Sequence, residues 1–268
     1  MIDLKRIFSG LLSKLPQTHS LQDVFDSREK GEFDKAYTVI CQIIDSEPQW
    51  SKNGDIHILG AELELLANYN AHRALELLDK AQEIGYSLTA LYYAKRAQAL
   101  WIIGERQLAL QCYERSVSAD SDYLRDYARA LSCMNDKRAM GFWQQVLDRD
   151  PKSVLAHAYI GWEAAKSGNA DKALLMSKRA EELASSATDF YELGLLYHHS
   201  EEFRSAINKY LEAKKFGYKD QGALYAAIAD CYLSLGDISQ ACKYVQLAIS
   251  LKPEDCYVKD VLQKCQGE

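Results

Sequence analysis

The stretch Phe190-Tyr191-Glu192-Leu193-Gly194-Leu195-Leu196-Tyr197, followed by Ala206 and Tyr210, decides the reading of this chain. Its large residues recur at three, four and seven, which places them on one face of a helix. Ala206 lies a few residues past a turn and opens a second stripe of the same kind. The neighbouring stretches repeat the arrangement, because Ala173, Ala206 and Ala241 are 33 and 35 residues apart and each is followed seven residues later by another alanine, Ala180, Ala213 and Ala248. Upstream of each lies an apolar stripe ending at a turn: His157, Ile160, Gly161 and Ala164 before Gly168; Phe190, Leu193, Gly194 and Tyr197 before Glu201; Tyr225, Ile228, Ala229 and Tyr232 before Gly236. Small residues at fixed places let two antiparallel helices approach closely, and the bulky residues between them fill what is left. A hairpin of this kind leaves an apolar face uncovered, so successive hairpins must stack.

The pattern resembles the tetratricopeptide repeat, Trp-x2-Leu-Gly-x2-Tyr, then Ala-x3-Phe, then Pro over about 34 residues. Phe190–Tyr197 with Ala206 and Tyr210 matches nearly every position, with Tyr218 standing where the family places its proline. Tyr225, Ile228, Ala229, Tyr232, Gly236, Ala241, Val245, Ala248 and Pro253 form an equally good last unit. Weaker units carry Gly31, Ala36, Ile40, Ile43 and Pro48; Ala74, Leu78 and Ala81; Gly104, Ala109 and Tyr113; and Ala139, Trp143, Val146 and Pro151, the last with a turn at Met134-Asn135-Asp136 that lacks glycine. The resemblance implies an all-α fold, a right-handed superhelical solenoid of antiparallel helix pairs. About seven repeats span residues 17–254, with an amphipathic helix over 1–16 and a C-terminal capping helix over 255–268.

Composition narrows the function. The 268 residues carry a formal charge of −6 with both signs interspersed, so no broad cationic surface is present to neutralise a phosphate backbone, and nucleic acid is not the expected partner. Seven scattered cysteines, none spaced as Cys-x-x-Cys, fit neither a disulfide framework nor a zinc ribbon, and point to a reducing cytoplasm. No stretch approaches the roughly 20 apolar residues of a membrane span. Residues 2–15 alternate Leu4, Ile7, Phe8, Leu11, Leu12 and Leu15 with Lys5, Arg6 and Lys14. That segment caps the first repeat, touches a membrane surface peripherally, or docks in a groove.

In the tetratricopeptide family the first helix of each pair lines a concave groove. By position this implies Phe25, Leu63, Gln98, Trp101, Leu131, Trp162, Tyr191, Leu195, His198 and Asp230 as partner contacts, each of which has packing between neighbouring repeats as its alternative role. Such an apolar and aromatic lining suits a helical or extended apolar segment of a protein or peptide. The lysine, asparagine and arginine set with which some members grip a C-terminal carboxylate is missing, since Leu21 and Phe25 stand in its first places and Lys95 and Arg125 are isolated. No nucleophile motif or phosphate loop is present. The adjacent pair His198-His199 points about 100° apart on a helix, which disfavours a shared metal ion. The expectation is a non-catalytic, cofactor-free, cytoplasmic scaffold or adaptor. The alternative is a chaperone-like or membrane-associated assembly or secretion factor that uses the N-terminal helix.

Overall fold

The computed structural model describes residues 19–46, 52–253 and 255–266. The amphipathic segment read over 1–16 lies outside them. Within the described residues there are fifteen α-helices, one 3-10 turn and no strand, and the chain divides into two compact units between Tyr123 and Leu124.

The first unit holds α1 (His19–Lys30), α2 (Phe33–Ser46), α3 (Gly54–Ala67), α4 (Ala71–Glu83), α5 (Ala90–Ile102) and α6 (Arg106–Ala119), followed by the 3-10 turn Ser121–Tyr123. They pack as three hairpins, with α2 against α3, α4 against α5, and α3 beside α5. Leu21, Phe25, Ile40, Ile58, Leu63, Leu78 and Tyr92 fill one shared core, which Tyr123 joins from the C-terminal end. Helix α3 is buried on nearly every side, including the charged Glu62 and Glu64, because it lies between its own partner and the hairpins before and after it.

The second unit contains α7 (Leu124–Cys133), α8 (Ala139–Arg149), α9 (Val154–Lys166), α10 (Ala170–Leu183), α11 (Ala187–His199), α12 (Phe203–Lys215), α13 (Gln221–Ser234), α14 (Ile238–Leu251) and α15 (Cys256–Gln266). Four hairpins stack in order, and α15 packs against both α13 and α14 through Val258, Val261 and Cys265. The small residues act where the spacing puts them. A methyl on Gly194 would stand 2.5 Å from the Tyr210 ring, so only glycine admits the aromatic side chain of α12 against α11. Trp143 is fully buried, donates Nε1–H to Ser132 Oγ at 2.9 Å, and stacks on Tyr159 at 4.6 Å between ring centres. Trp143 occupies a place on the second helices that Ile40, Leu78, Tyr113, Tyr210 and Val245 fill in other hairpins.

One hairpin departs from that rule, because α10 carries Ser177 there. The join to the next hairpin is made by α9 against α11, and a cavity of ≈ 100 Å³ remains between α9, α10 and α11, with Gly161, Trp162, Ser177, Leu193 and Tyr197 in its wall. Only Ala180 of α10 is fully buried, while Leu174 and Leu175 face outward.

Helix starts follow capping chemistry: Asn70, Thr89, Asn169 and Asp237 each accept a hydrogen bond from the backbone N–H three residues on, and Ser186 with Asp189 forms a reciprocal capping box. The turns inside hairpins share a left-handed residue, Gly104 at φ 88° for example. Where glycine is lacking, Tyr69, Asn135 and Glu201 adopt the same conformation at φ 53°, 54° and 62°. Tertiary packing therefore imposes the turn even on residues that disfavour it.

Candidate functional site

The first helix of each hairpin carries the residues that the family resemblance assigns to partner contact, and their environments fall into two groups. Phe25, Leu63 and Leu131 are fully buried. Phe25 and Leu63 belong to the core of the first unit, and Leu131 is buried on α7. The spacing of three and four does not distinguish a groove-facing place from a core-facing one on a helix packed on several sides. Gln98, Trp101, Trp162, Tyr191, Leu195, His198 and Asp230 are half-buried.

In the first unit this face is closed by charge. Glu62 on α3 receives Lys95 of α5, Nζ to Oε1 at 2.8 Å, and Arg28 of α1, Nε to Oε2 at 3.4 Å, while all three side chains are at most 13% exposed. Burial works against ionisation of Glu62, but Lys95 and Arg28 overcome it and hold the carboxyl below the usual glutamate range. Lys95 also donates to Gln98 Oε1 at 3.4 Å. Trp101 has the Arg106 guanidinium over its ring at 4.2 Å. Lys95 is thus not isolated, as its spacing in the chain implies, but part of a cluster that joins three successive first helices.

In the second unit the candidate residues of the first helices are largely aromatic. Trp162 on α9 meets Tyr159 edge-on at 5.8 Å and carries Lys166 over its ring at 4.3 Å. Tyr191 on α11 stacks on Tyr218 at 4.2 Å between ring centres and lies 5.5 Å from the ring of Tyr210. Beside it, Arg125 of α7 reaches Glu192 at 3.8 Å. Burial lifts the Glu192 carboxyl above its ordinary range, against the pull of Arg125 and Arg129.

His198 of α11 and Asp230 of α13 come together at 3.7 Å. Burial keeps the His198 imidazole less basic than usual, with Asp230 opposing and Lys264 adding to the effect. Two residues of α15 complete the cluster: Tyr257 donates its phenol proton to Asp230 Oδ2 at 3.1 Å, and Lys264 Nζ stands 3.9 Å from Oδ1 while holding Asp260 at 2.7 Å. Neither was legible as a site residue, because their role depends on how α15 docks. A readable signal did exist for the first unit: Glu62 and Glu64 interrupt the otherwise apolar run Ile58–Leu66, and a buried carboxylate needs a cation or hydrogen-bond donors beside it.

His198 and His199 lie 6.4 Å apart between ring centres, and among the described residues no group of three or more histidine, cysteine, aspartate or glutamate side chains is arranged to hold a metal ion. No helix among the described residues is long and apolar enough to cross a membrane. The segment 2–15, to which membrane contact is one assignment, lies outside them.

The tetratricopeptide repeat family matches residues 90–123 and 223–255, which cover the α5/α6 and α13/α14 hairpins. No curated protein matches the chain significantly. Among solved structures, a tetratricopeptide repeat protein from Parabacteroides merdae superposes with a TM-score of 0.55 at 16% identity, covering 92% of this chain and 98% of that one. A chain from the APC/C hetero-tetramer Cut9–Hcn1 gives a TM-score of 0.55 at 15% identity over 96% of this chain and 50% of its own length. At such identities the likeness is one of fold. The helix hairpins, the small residues at their crossings and the two matched repeats lead to one assignment: the chain carries tetratricopeptide repeats on an all-α solenoid fold like that of tetratricopeptide repeat structures.

Proposed function

We propose that the protein is a non-catalytic cytoplasmic adaptor that holds a helical or extended apolar segment of a partner along its first helices, chiefly in the second unit. The observation that carries this reading is the row Trp162, Tyr191, Leu195, His198 and Asp230, half-buried on the successive first helices α9, α11 and α13. Rigid aromatic side chains give large contact area at low entropic cost, and half-burial holds them in place while leaving surface for a partner. Gln98 and Trp101 add candidate contacts in the first unit, and the buried Phe25, Leu63 and Leu131 complete the set. We take the array as about seven repeats over residues 17–254, flanked by the segments 1–16 and 255–268.

The test is affinity purification from the native cell with the intact protein, a Trp162→Ala/Tyr191→Ala variant and a Trp101→Ala variant, each shown by circular dichroism to keep its helix content. Loss of a partner from the first variant alone supports recognition by the second unit. A partner list unchanged in both variants sinks the groove reading and moves recognition to the second-helix face or the loops.

A further inference from the structure

We propose that Asp230, flanked by Tyr257 and His198, is the receptor for the guanidinium group of an arginine carried by the bound segment. The inference rests on the groove reading and names the chemistry of its occupant.

Asp230 is a carboxylate on the first helix α13 whose side chain is 22% exposed, so it is reachable and yet partly removed from water. Among the described residues its charge is poorly matched. Tyr257 gives Oδ2 one hydrogen bond at 3.1 Å, which is neutral. His198 stands 3.7 Å from Oδ2, and its burial favours the uncharged imidazole. The cation facing Oδ1 is Lys264 at 3.9 Å, beyond hydrogen-bond range, and it is held at 2.7 Å by Asp260. Oδ1 is therefore an acceptor in a half-buried place with no donor at bonding distance among these neighbours.

The surroundings select the kind of cation. Tyr191 and Tyr218 present stacked rings, and Tyr210, fully buried beneath Tyr191, has a phenol oxygen without a hydrogen-bond partner among the described residues. Tyr257 bonds Oδ2 and lies within electrostatic reach of Tyr191 and Tyr210, so the carboxylate sits among aromatic side chains, and such a place suits a flat, weakly hydrated guanidinium whose fork of N–H groups reaches the oxygen. A compact ammonium uses only the charge. Lys264 then acts as a resident competitor, close enough to shield Asp230 in the free protein and loose enough to be displaced.

The experiment uses the full chain labelled for histidine side-chain NMR, with the His198 imidazole as reporter and N-acetyl-arginine methylamide as probe. The expected result is a saturable shift with a dissociation constant on the order of millimolar, as a single side-chain contact allows. The isosteric and uncharged citrulline compound gives no shift, and the lysine compound binds several-fold more weakly. Asp230→Asn abolishes the response, whereas Lys264→Ala, a change at a half-exposed side chain, strengthens it at least threefold. An equal response to citrulline, tighter binding of lysine, or weaker arginine binding by Lys264→Ala overturns the proposal, and the last two outcomes do not depend on Asp230→Asn folding. Should partner capture depend on Trp162 and Tyr191 while the arginine probe fails to bind, the groove reading stands and this inference falls.

Discussion

Each unit carries a carboxylate on a first helix, Glu62 and Asp230, that reaches side chains of neighbouring helices, and the two are treated in opposite ways. Glu62 lies between Arg28 and Lys95, with a hydrogen-bonded lysine at 2.8 Å, and the cluster ties α1, α3 and α5 together. Asp230 has a phenol, an imidazole at 3.7 Å and a lysine at 3.9 Å that belongs chiefly to Asp260. The first arrangement uses charge to fix the stacking of hairpins. The second leaves charge for something else. One repeat plan thus yields a self-satisfied face in one unit and a receptive face in the other.

The largest expected effect tests whether Glu62 is the fixed member of this pair. Glu62→Gln leaves Arg28 and Lys95 without their buried counter-charge and lowers the stability of the first unit by about 3–5 kcal/mol, measured by chemical denaturation. Acidification reproduces part of that loss. Because the Glu62 carboxyl is held below its ordinary range in the folded chain, its contribution is complete above the unfolded value and is lost as the pH falls through the lowered one. A denaturation midpoint that does not change on acidification in the native chain more than in Glu62→Gln would break the comparison.

Gly194→Ala probes the support beneath the receptive face without altering any charge. The new methyl meets the Tyr210 ring at 2.5 Å, and the expected loss is about 1–3 kcal/mol with weakened partner capture. A smaller change is expected at the turn between α11 and α12, where Glu201 sits at φ 62°. Glu201→Gly relieves the left-handed conformation and stabilises by about 1 kcal/mol, read as a rise in the thermal midpoint. The smallest effect is assigned to Asp230→Asn, at most about 1 kcal/mol in stability, because its ionic contacts are long and partly solvated. If Asp230→Asn destabilises as much as Glu62→Gln, both carboxylates fix the packing of their units and the contrast between them disappears.

Much of the fold is written in spacing alone. Phe190, Leu193, Gly194 and Tyr197 with Ala206 and Tyr210 imply a hairpin, and α11/α12 form one in which Gly194 receives Tyr210. The turns at Asn135 and Glu201 are less legible, since neither residue declares the left-handed conformation that packing forces on it. The surface is harder still. Phe25 and Leu63 occupy helical places equivalent to those of the half-buried Gln98, Trp162, Leu195 and Asp230, and their burial follows from the packing of the whole helix against its neighbours, which no local spacing encodes. Tyr257 and Lys264 reach Asp230 only because α15 docks across α13, whereas Glu62, a charge inside an apolar run, was readable in principle.

The bonds that close and join the hairpins within each unit are short in sequence: Arg28 to Glu62, between two hairpins, spans 34 residues, Lys252 to Asp220, across the α13/α14 hairpin, spans 32, and Tyr257 of α15 to Asp230 spans 27. A chain of this kind need not wait for its far end during synthesis. Each hairpin finds its partner once the next has left the ribosome, so apolar faces such as that of α3 are exposed only briefly, and contacts this local favour rapid folding.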